Sequence, residues 1–473
     1  MKEYPYNEDN LDIEELLSKY EQFRKGQSVY IEEESFERIV NYFESQEQFK
    51  KAMQAVRAGI EQYPYSAGML IKQADLLLND RRYEEALEIL EHAAIFDSGD
   101  INLYILKTEA LLALDRQEEA VALLETGLQL FDGEERIDLL FELSDVYDDF
   151  EDFDKVFDCL KAILEQEPNN EEALYKICFW TDCTGRNAES IDLHRKIIDE
   201  YPYNELAWFN LAAAYQGIKL YEKAIDAYQY ALVIDEKFDY AYRNMGDAYI
   251  RLRKYKEAIE ALSRVLELTK PESVIYEAIG HCYERLKNYA QARFYYRKAS
   301  HLNQDDSLIF YKIATTYFYE EKYEQCARQL ETALRIKRNK PEYNLLMGEC
   351  KMQLGLGKEA LQYFMNAVRL RPKSVQAWEA LVRGLYISGL YDECVQQADF
   401  VLSLMPEKYV FLYYKAAANF GLGKTKQALL ELEDALTKSP AMVKKLFTLN
   451  PSILQYQQVN ALLVKYKRKR KGK

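Results

Sequence analysis

Four histidines and seven cysteines are the residues of this 473-residue chain best suited to proton transfer, nucleophilic attack or metal binding. Among His92, His194, His281 and His301, His281 is the best placed. Glu277 lies four residues before it and Glu284 three after, which sets all three on one helical face. An imidazole between carboxylates can hold a proton or a metal ion, although a solvated helix face shows the same spacing. No Cys-x-x-Cys occurs, and no Cys/His set has the spacing of zinc ligands. The cysteines read as reduced thiols that serve as small buried groups. The sequence has no Gly-rich phosphate loop, no His-Glu-x-x-His and no Gly-x-Ser-x-Gly. Acid, base and nucleophile do not converge, so the expectation is a non-enzyme without cofactor or metal.

The elements that carry these residues repeat. Trp208, Leu211, Ala212, Tyr215, Tyr221, Ala224, Tyr228 and Ala231 return 34 residues later as Tyr242, Met245, Gly246, Tyr249, Tyr255, Ala258, Leu262 and Val265. They return again as Tyr276, Ile279, Gly280, Tyr283, Tyr289, Ala292, Tyr296 and Ala299. Units then begin at 33, 67, 101, 137, 171, 205, 239, 273, 307, 341, 375 and 409, with one insertion near Asp132-Gly133. The eighth and twentieth places stay small, as Ala74, Ser144, Gly348, Val156, Ser190, Cys326 and Cys394 illustrate. Small facing side chains let two antiparallel helices approach closely. Pro64, Pro168, Pro202, Pro372, Pro406 and Pro440 fall at the thirty-second place and mark helix ends, with Pro271 and Pro341 just beyond it.

This unit resembles the tetratricopeptide repeat, a 34-residue helix–turn–helix, across residues 33–442. The resemblance implies an all-α, right-handed α-solenoid, a superhelix of antiparallel helix pairs. Asn344, Lys351, Asn419 and His194 depart from the usual residues of their places. The expected organisation is an N-terminal segment and capping helix (1–32), twelve repeats (33–442), C-terminal capping helices (443–464) and a basic tail (465–473). In the tail section, Asn450-Pro451 should stop one helix and start a last amphipathic one.

The resemblance also implies that the first helix of each unit lines a concave groove. Its inward places are acidic at the start: Glu34, Glu37, Glu44, Asp75, Glu109, Asp138, Asp145, Asp148 and Asp149. Further on they are aromatic with scattered arginine: Tyr175, Phe179, Phe209, Tyr240, Arg243, Arg251, Tyr311, Phe318, Tyr319, Arg383, Tyr386, Tyr413 and Phe420. Tyr, Phe and Arg carry much of the energy at protein interfaces. The groove is therefore expected to hold a protein or peptide, with a basic segment at its acidic end. A carboxylate clamp for chaperone tails is not expected, because Asn210 and Asn244 match single places and its basic members do not recur.

Composition is consistent with this. The chain is 48% hydrophobic and 30% charged with a net charge of −16, which suits a globular protein and disfavours nucleic-acid binding by its body. Residues 132–172 hold 16 acids against three basic residues. The tail holds seven basic residues, Lys465, Lys467, Arg468, Lys469, Arg470, Lys471 and Lys473, and no acid, so RNA or anionic lipid could be met only there. A nucleic-acid- or ribosome-associated factor contacting RNA through that tail is the alternative reading. Glu3, Glu8, Asp9 and Asp12 argue against a signal peptide, and no apolar run is long enough for a transmembrane helix. These signs point to the cytoplasm.

Overall fold

The computed structural model describes residues 8–471, and the side chains of 13–466. Glu3 and the side chains of Glu8, Asp9, Leu11, Asp12 and the tail residues beyond Tyr466 lie outside the described residues. Among the described residues every regular element is a helix. From Glu33 to Lys438 the helices come in consecutive pairs. First helices begin at Glu33, Ala67, Ile101, Glu171, Glu205, Asp239, Ser273, Ser307, Pro341 and Val375, the first places of their units. The insertion lengthens one of them: Gly133–Asp149 has 17 residues, and the helix before it, Gln117–Gly127, has 11.

Local chemistry sets both ends of these first helices. The residue before the helix is often an N-cap. Ser66 accepts from the Met69 N–H at 3.0 Å, Asn170 from Ala173 at 3.0 Å, Asn204 from Ala207 at 2.7 Å and Asp306 from Leu308 at 2.8 Å. At the other end, the fifteenth place of every unit has a left-handed backbone. Gly185, Gly355, Gly389 and Gly423 hold it with φ between 71° and 77°. Glu47, Arg81, Asp115, Glu151, Lys219, Arg253, Lys287 and Glu321 hold it with φ between 57° and 64°. The next N–H closes the end over the helix, as Lys254 does to the Tyr249 carbonyl at 2.9 Å and Lys322 to Tyr317 at 2.9 Å.

Packing within a pair differs in detail from the expected meeting of small with small. The eighth place instead receives the large twenty-fourth. A Cβ on Gly246 would lie 2.8 Å from Leu262, one on Gly280 2.6 Å from the Tyr296 ring and one on Gly348 2.4 Å from Phe364. Tyr296 and Phe364 are fully buried. The missing side chain makes a socket, and the ring fills it to the density of a protein interior.

The chain divides into two compact units, Met1–Glu236 and Lys237–Lys473. In the first, the first helices Ala67–Asn79, Ile101–Ala113 and Gly133–Asp149 pack side by side, as do Glu171–Thr184 and Glu205–Gly217. In the second, Ser307–Tyr319, Pro341–Gln353, Val375–Ile387 and Val410–Gly421 form a similar row. Second helices make no comparable contact with one another among the described residues. The helix Glu8–Arg24 buries Leu16 and Tyr20 against the first pair. At the other end the final amphipathic helix is not continuous from Ile453. Pro451–Gln455 forms a 3-10 turn and an α-helix resumes at Gln457, so Ile453 and Val459 are buried from separate elements.

Candidate functional site

Of the acidic residues on the first helices of the first unit, Glu34, Glu109 and Asp138 are exposed, and Glu37, Glu44 and Asp75 are half-buried. Asp145, Asp148 and Asp149 are exposed on Gly133–Asp149. Beside them Glu142 is half-buried, and its carboxyl is pushed up first by burial and then by the like charges of Asp145, Glu109 and Asp138, with Lys176 pulling the other way. Glu37 is raised in the same manner, by burial and then by Glu33 and Glu34, against Lys72. Two lysines supply counter-charges that the acidic places by themselves do not reveal. Lys72 reaches Glu44 at 2.9 Å and Asp75 at 3.3 Å, and Lys176 reaches Glu172 at 2.9 Å and Asp145 at 3.6 Å. Lys72, Lys176 and Lys312 all hold the sixth place of their units, a recurrence visible in the sequence but outside the inward places considered.

Next to the carboxylates, Tyr175 and Phe179 stand one helical turn apart, 63% and 62% exposed. Large rings left this open on a packed helix are available to a partner. Phe179 touches Trp180 at 4.9 Å between centroids, and Trp180 rests on Phe153 at 5.2 Å. Phe209 is half-buried, tilted against Tyr228 at 5.7 Å.

Beneath this surface lies a polar joint. His194 is fully buried at the twenty-fourth place, where Tyr228 stands in the next pair. Its Nδ1–H donates to the Ser190 carbonyl at 2.7 Å, and its Nε2 accepts from the Asn210 amide at 3.2 Å. Asn210 also donates to the Leu174 carbonyl at 2.7 Å. Asn210 is therefore consumed inside the fold. Burial pulls the His194 imidazole down to about 4, so it is neutral.

In the second unit Tyr240 is half-exposed, and Arg243 forks onto Glu272 at 2.7 and 3.0 Å. Arg251 is exposed beside Asp247 at 3.4 Å. Tyr319 is 60% exposed and stacks on Tyr289 at 5.5 Å. Tyr311 is half-buried, stacked on Tyr343 at 4.9 Å, and Phe318 packs into the core beside Tyr323 at 5.6 Å. His281 does not share its carboxylates. Glu277 is bound to Lys312, and Glu284 accepts from the Tyr296 hydroxyl at 2.7 Å. No group of three or more potential metal ligands occurs among the described residues.

The chain's own end covers part of the last inward residues. The helix Val443–Leu449 packs on Val410–Gly421 and reaches Val375–Ile387, where Lys445 lies 3.2 Å from Glu379, 66 residues earlier in the chain. Lys445, Thr448 and Leu449 close a cleft over Leu345, Glu349, Glu379, Arg383 and Tyr414. Arg383 is paired with Glu349. Tyr386 is buried and shares a hydrogen bond with Asn450, Tyr413 is fully buried with its hydroxyl on the Ser439 carbonyl at 2.7 Å, and Phe420 lies under Tyr456 at 5.2 Å. Apolar side chains at the end of a stack must be covered, and residues 443–456 cover them.

Residues 186–350 match the family described as the tetratricopeptide repeat protein 21 C-terminal ARM domain. Residues 341–374 match the tetratricopeptide repeat itself, in the register that starts a unit at 341. No curated protein matches. Solved structures similar to the chain include YrrB, described as a TPR protein with an unusual peptide-binding site (20% identity, TM-score 0.36, covering 40% of this chain and 96% of that one). Another is the APC/C hetero-tetramer Cut9–Hcn1 (13%, 0.35, 85% and 97%). A third is a tetratricopeptide repeat protein from Parabacteroides merdae (19%, 0.37, 52% and 97%).

Proposed function

This is a tetratricopeptide-repeat protein, and from that premise we propose that it is a non-catalytic scaffold that holds a partner protein on the first-helix face. Repeats of this kind generally build scaffolds and bind proteins or peptides. The proposed contact in the first unit runs from Asp145, Asp148 and Asp149 to Tyr175, Phe179 and Phe209, and it takes a partner segment carrying Lys or Arg beside an apolar side chain. In the second unit Tyr240, Arg243, Arg251, Tyr311, Phe318, Tyr319 and Arg383 form the proposed contact, while Tyr386 packs under Asn450. The observation that carries the reading is Glu142, half-buried among three like charges with Lys176 opposing them. A cation brought to that face relieves the crowding. The proposed place of work is the cytoplasm, a reducing compartment that suits a chain with seven free cysteines. No helix among the described residues is long and apolar enough to cross a membrane.

The test is affinity capture with quantitative mass spectrometry on the wild type, on Tyr175→Ala/Phe179→Ala and on Asp145→Asn/Asp148→Asn/Asp149→Asn. Selective loss of the same proteins from both variants is the expected result. An unchanged set of captured proteins overturns the reading.

A further inference from the structure

Two buried sulfurs meet in the second unit. Cys326 lies on the helix Tyr323–Ile336 and Cys350 on the next helix, Pro341–Gln353. Both are fully buried, and their Sγ atoms are 3.0 Å apart. The surrounding side chains, Ala314, Leu330, Ala333, Tyr343 and Met347, are packed and apolar or aromatic. A covalent disulfide needs a separation of about 2.0 Å, so roughly 1 Å of approach remains. Among the described residues no other cysteine is placed like this. Cys394, equally buried, turns its thiol to the Val382 carbonyl at 3.4 Å.

We propose that Cys326 and Cys350 are a two-electron redox pair, which a hydroperoxide closes into an intramolecular disulfide that bolts one repeat to the next. One thiol attacks a peroxide oxygen as its thiolate. The O–O bond breaks, the departing oxygen takes a proton and leaves as water, and the sulfur becomes a sulfenic acid. The second sulfur displaces that hydroxyl, which leaves as water. Two S–H bonds give way to one S–S bond. The thiols lose two electrons and two protons, and hydrogen peroxide becomes two waters.

The setting determines how this pair behaves. The hydrogen bond shared with Cys350 and then burial push the Cys326 thiol far up, which keeps the thiolate scarce near neutrality. Closure is therefore slow at neutral pH and faster as pH rises. The same burial shields the finished bond from bulky thiol reductants, so it is long-lived once made. The bond closes a loop of the chain that runs through the connection at residues 337–340. It thereby restricts the unfolded state and stiffens the joint between the helices.

The experiment uses the full native chain. It is treated with hydrogen peroxide, alkylated after denaturation without reductant, digested and mapped by mass spectrometry. The expected product is a Cys326–Cys350 cross-linked peptide pair, 2 Da lighter than the two separate thiol peptides, that disappears with dithiothreitol. Its rate of appearance should rise several-fold per pH unit between pH 7 and 9. Cys326→Ser and Cys350→Ser, each checked for helicity by circular dichroism, should both lose the product. Free thiols at both positions after exposed Cys183 has been fully oxidised would overturn the proposal. A cross-link of either residue to another cysteine would overturn it too.

Discussion

The Nε2 of His194 lies 3.2 Å from the Asn210 side-chain amide, and neither residue reaches solvent. With Ser190 and the Leu174 carbonyl they form a polar joint connecting three successive helices, Glu171–Thr184, Asn187–Glu200 and Glu205–Gly217. A neutral imidazole is needed, because Nε2 must accept.

This joint makes stability depend on pH. The folded imidazole titrates at about 4 and the unfolded one near 6.5, so the unfolded chain takes the proton first as pH falls. The contribution of His194 is whole above pH 6.5 and is lost as pH drops toward 4. At about 1.4 kcal/mol per unit the window is worth roughly 3 kcal/mol. Urea midpoints at pH 7.5 and 4.5 should differ more in the wild type than in His194→Gln, whose side chain does not titrate. Equal pH dependence in the two proteins would refute the assignment.

The left-handed fifteenth places offer opposite substitutions. Gly389→Ala should cost about 1 kcal/mol through the backbone, since nothing lies within 4 Å of the added methyl. Glu321→Gly should gain up to about 1 kcal/mol by relieving φ of 59°, offset in part by the freer unfolded chain. Denaturant melts of the two variants decide the matter, and shifts of the same sign would be inconsistent with strain at this place.

The Gly348 socket under Phe364 has no room for an added carbon. Gly348→Ala puts a methyl 2.4 Å from the Phe364 ring and should cost about 1–3 kcal/mol. Phe364→Leu alone also destabilises, by emptying the socket. Combined, the two changes should cost less than their sum by at least about 0.5 kcal/mol. Thermal melts of the four proteins close this cycle, and strict additivity would show that the methyl is accommodated elsewhere.

Charge governs the first-unit surface. Lys176→Ala removes the cation nearest Asp145 and should tighten binding of a Lys-rich probe peptide by roughly two- to fivefold at low salt. Asp145→Lys should weaken it, and both differences should shrink at high salt. Fluorescence anisotropy across a salt series reads this, and a salt-independent response would exclude charge as the cause.

Much of the fold could be read from one dimension. A spacing of 34, small residues at two places and proline at another are properties of each unit on its own, and the helix starts at Ala67, Asp239 or Pro341 follow from them. The left-handed fifteenth place is not legible in the sequence, because eight of its residues are Glu, Arg, Asp or Lys, which give no sign of such a backbone. The socket was half recognised: the small eighth place was evident, but its partner is the ring at the twenty-fourth.

The candidate surface was less legible. Tyr175 and Tyr319 occupy the same kind of place as Tyr386, yet two are open and one is buried under Asn450. Glu277 looked free to serve His281 until Lys312, 35 residues on, proved to hold it. The sequence by itself determined the repeated helix pair, because helix formation and the nesting of two helices depend on residues within 34 positions. Tertiary structure alone decided which side chains remain available. That depends on what the neighbouring helix and the returning chain end place against them, and burial or ion pairing by a distant residue leaves no periodic trace.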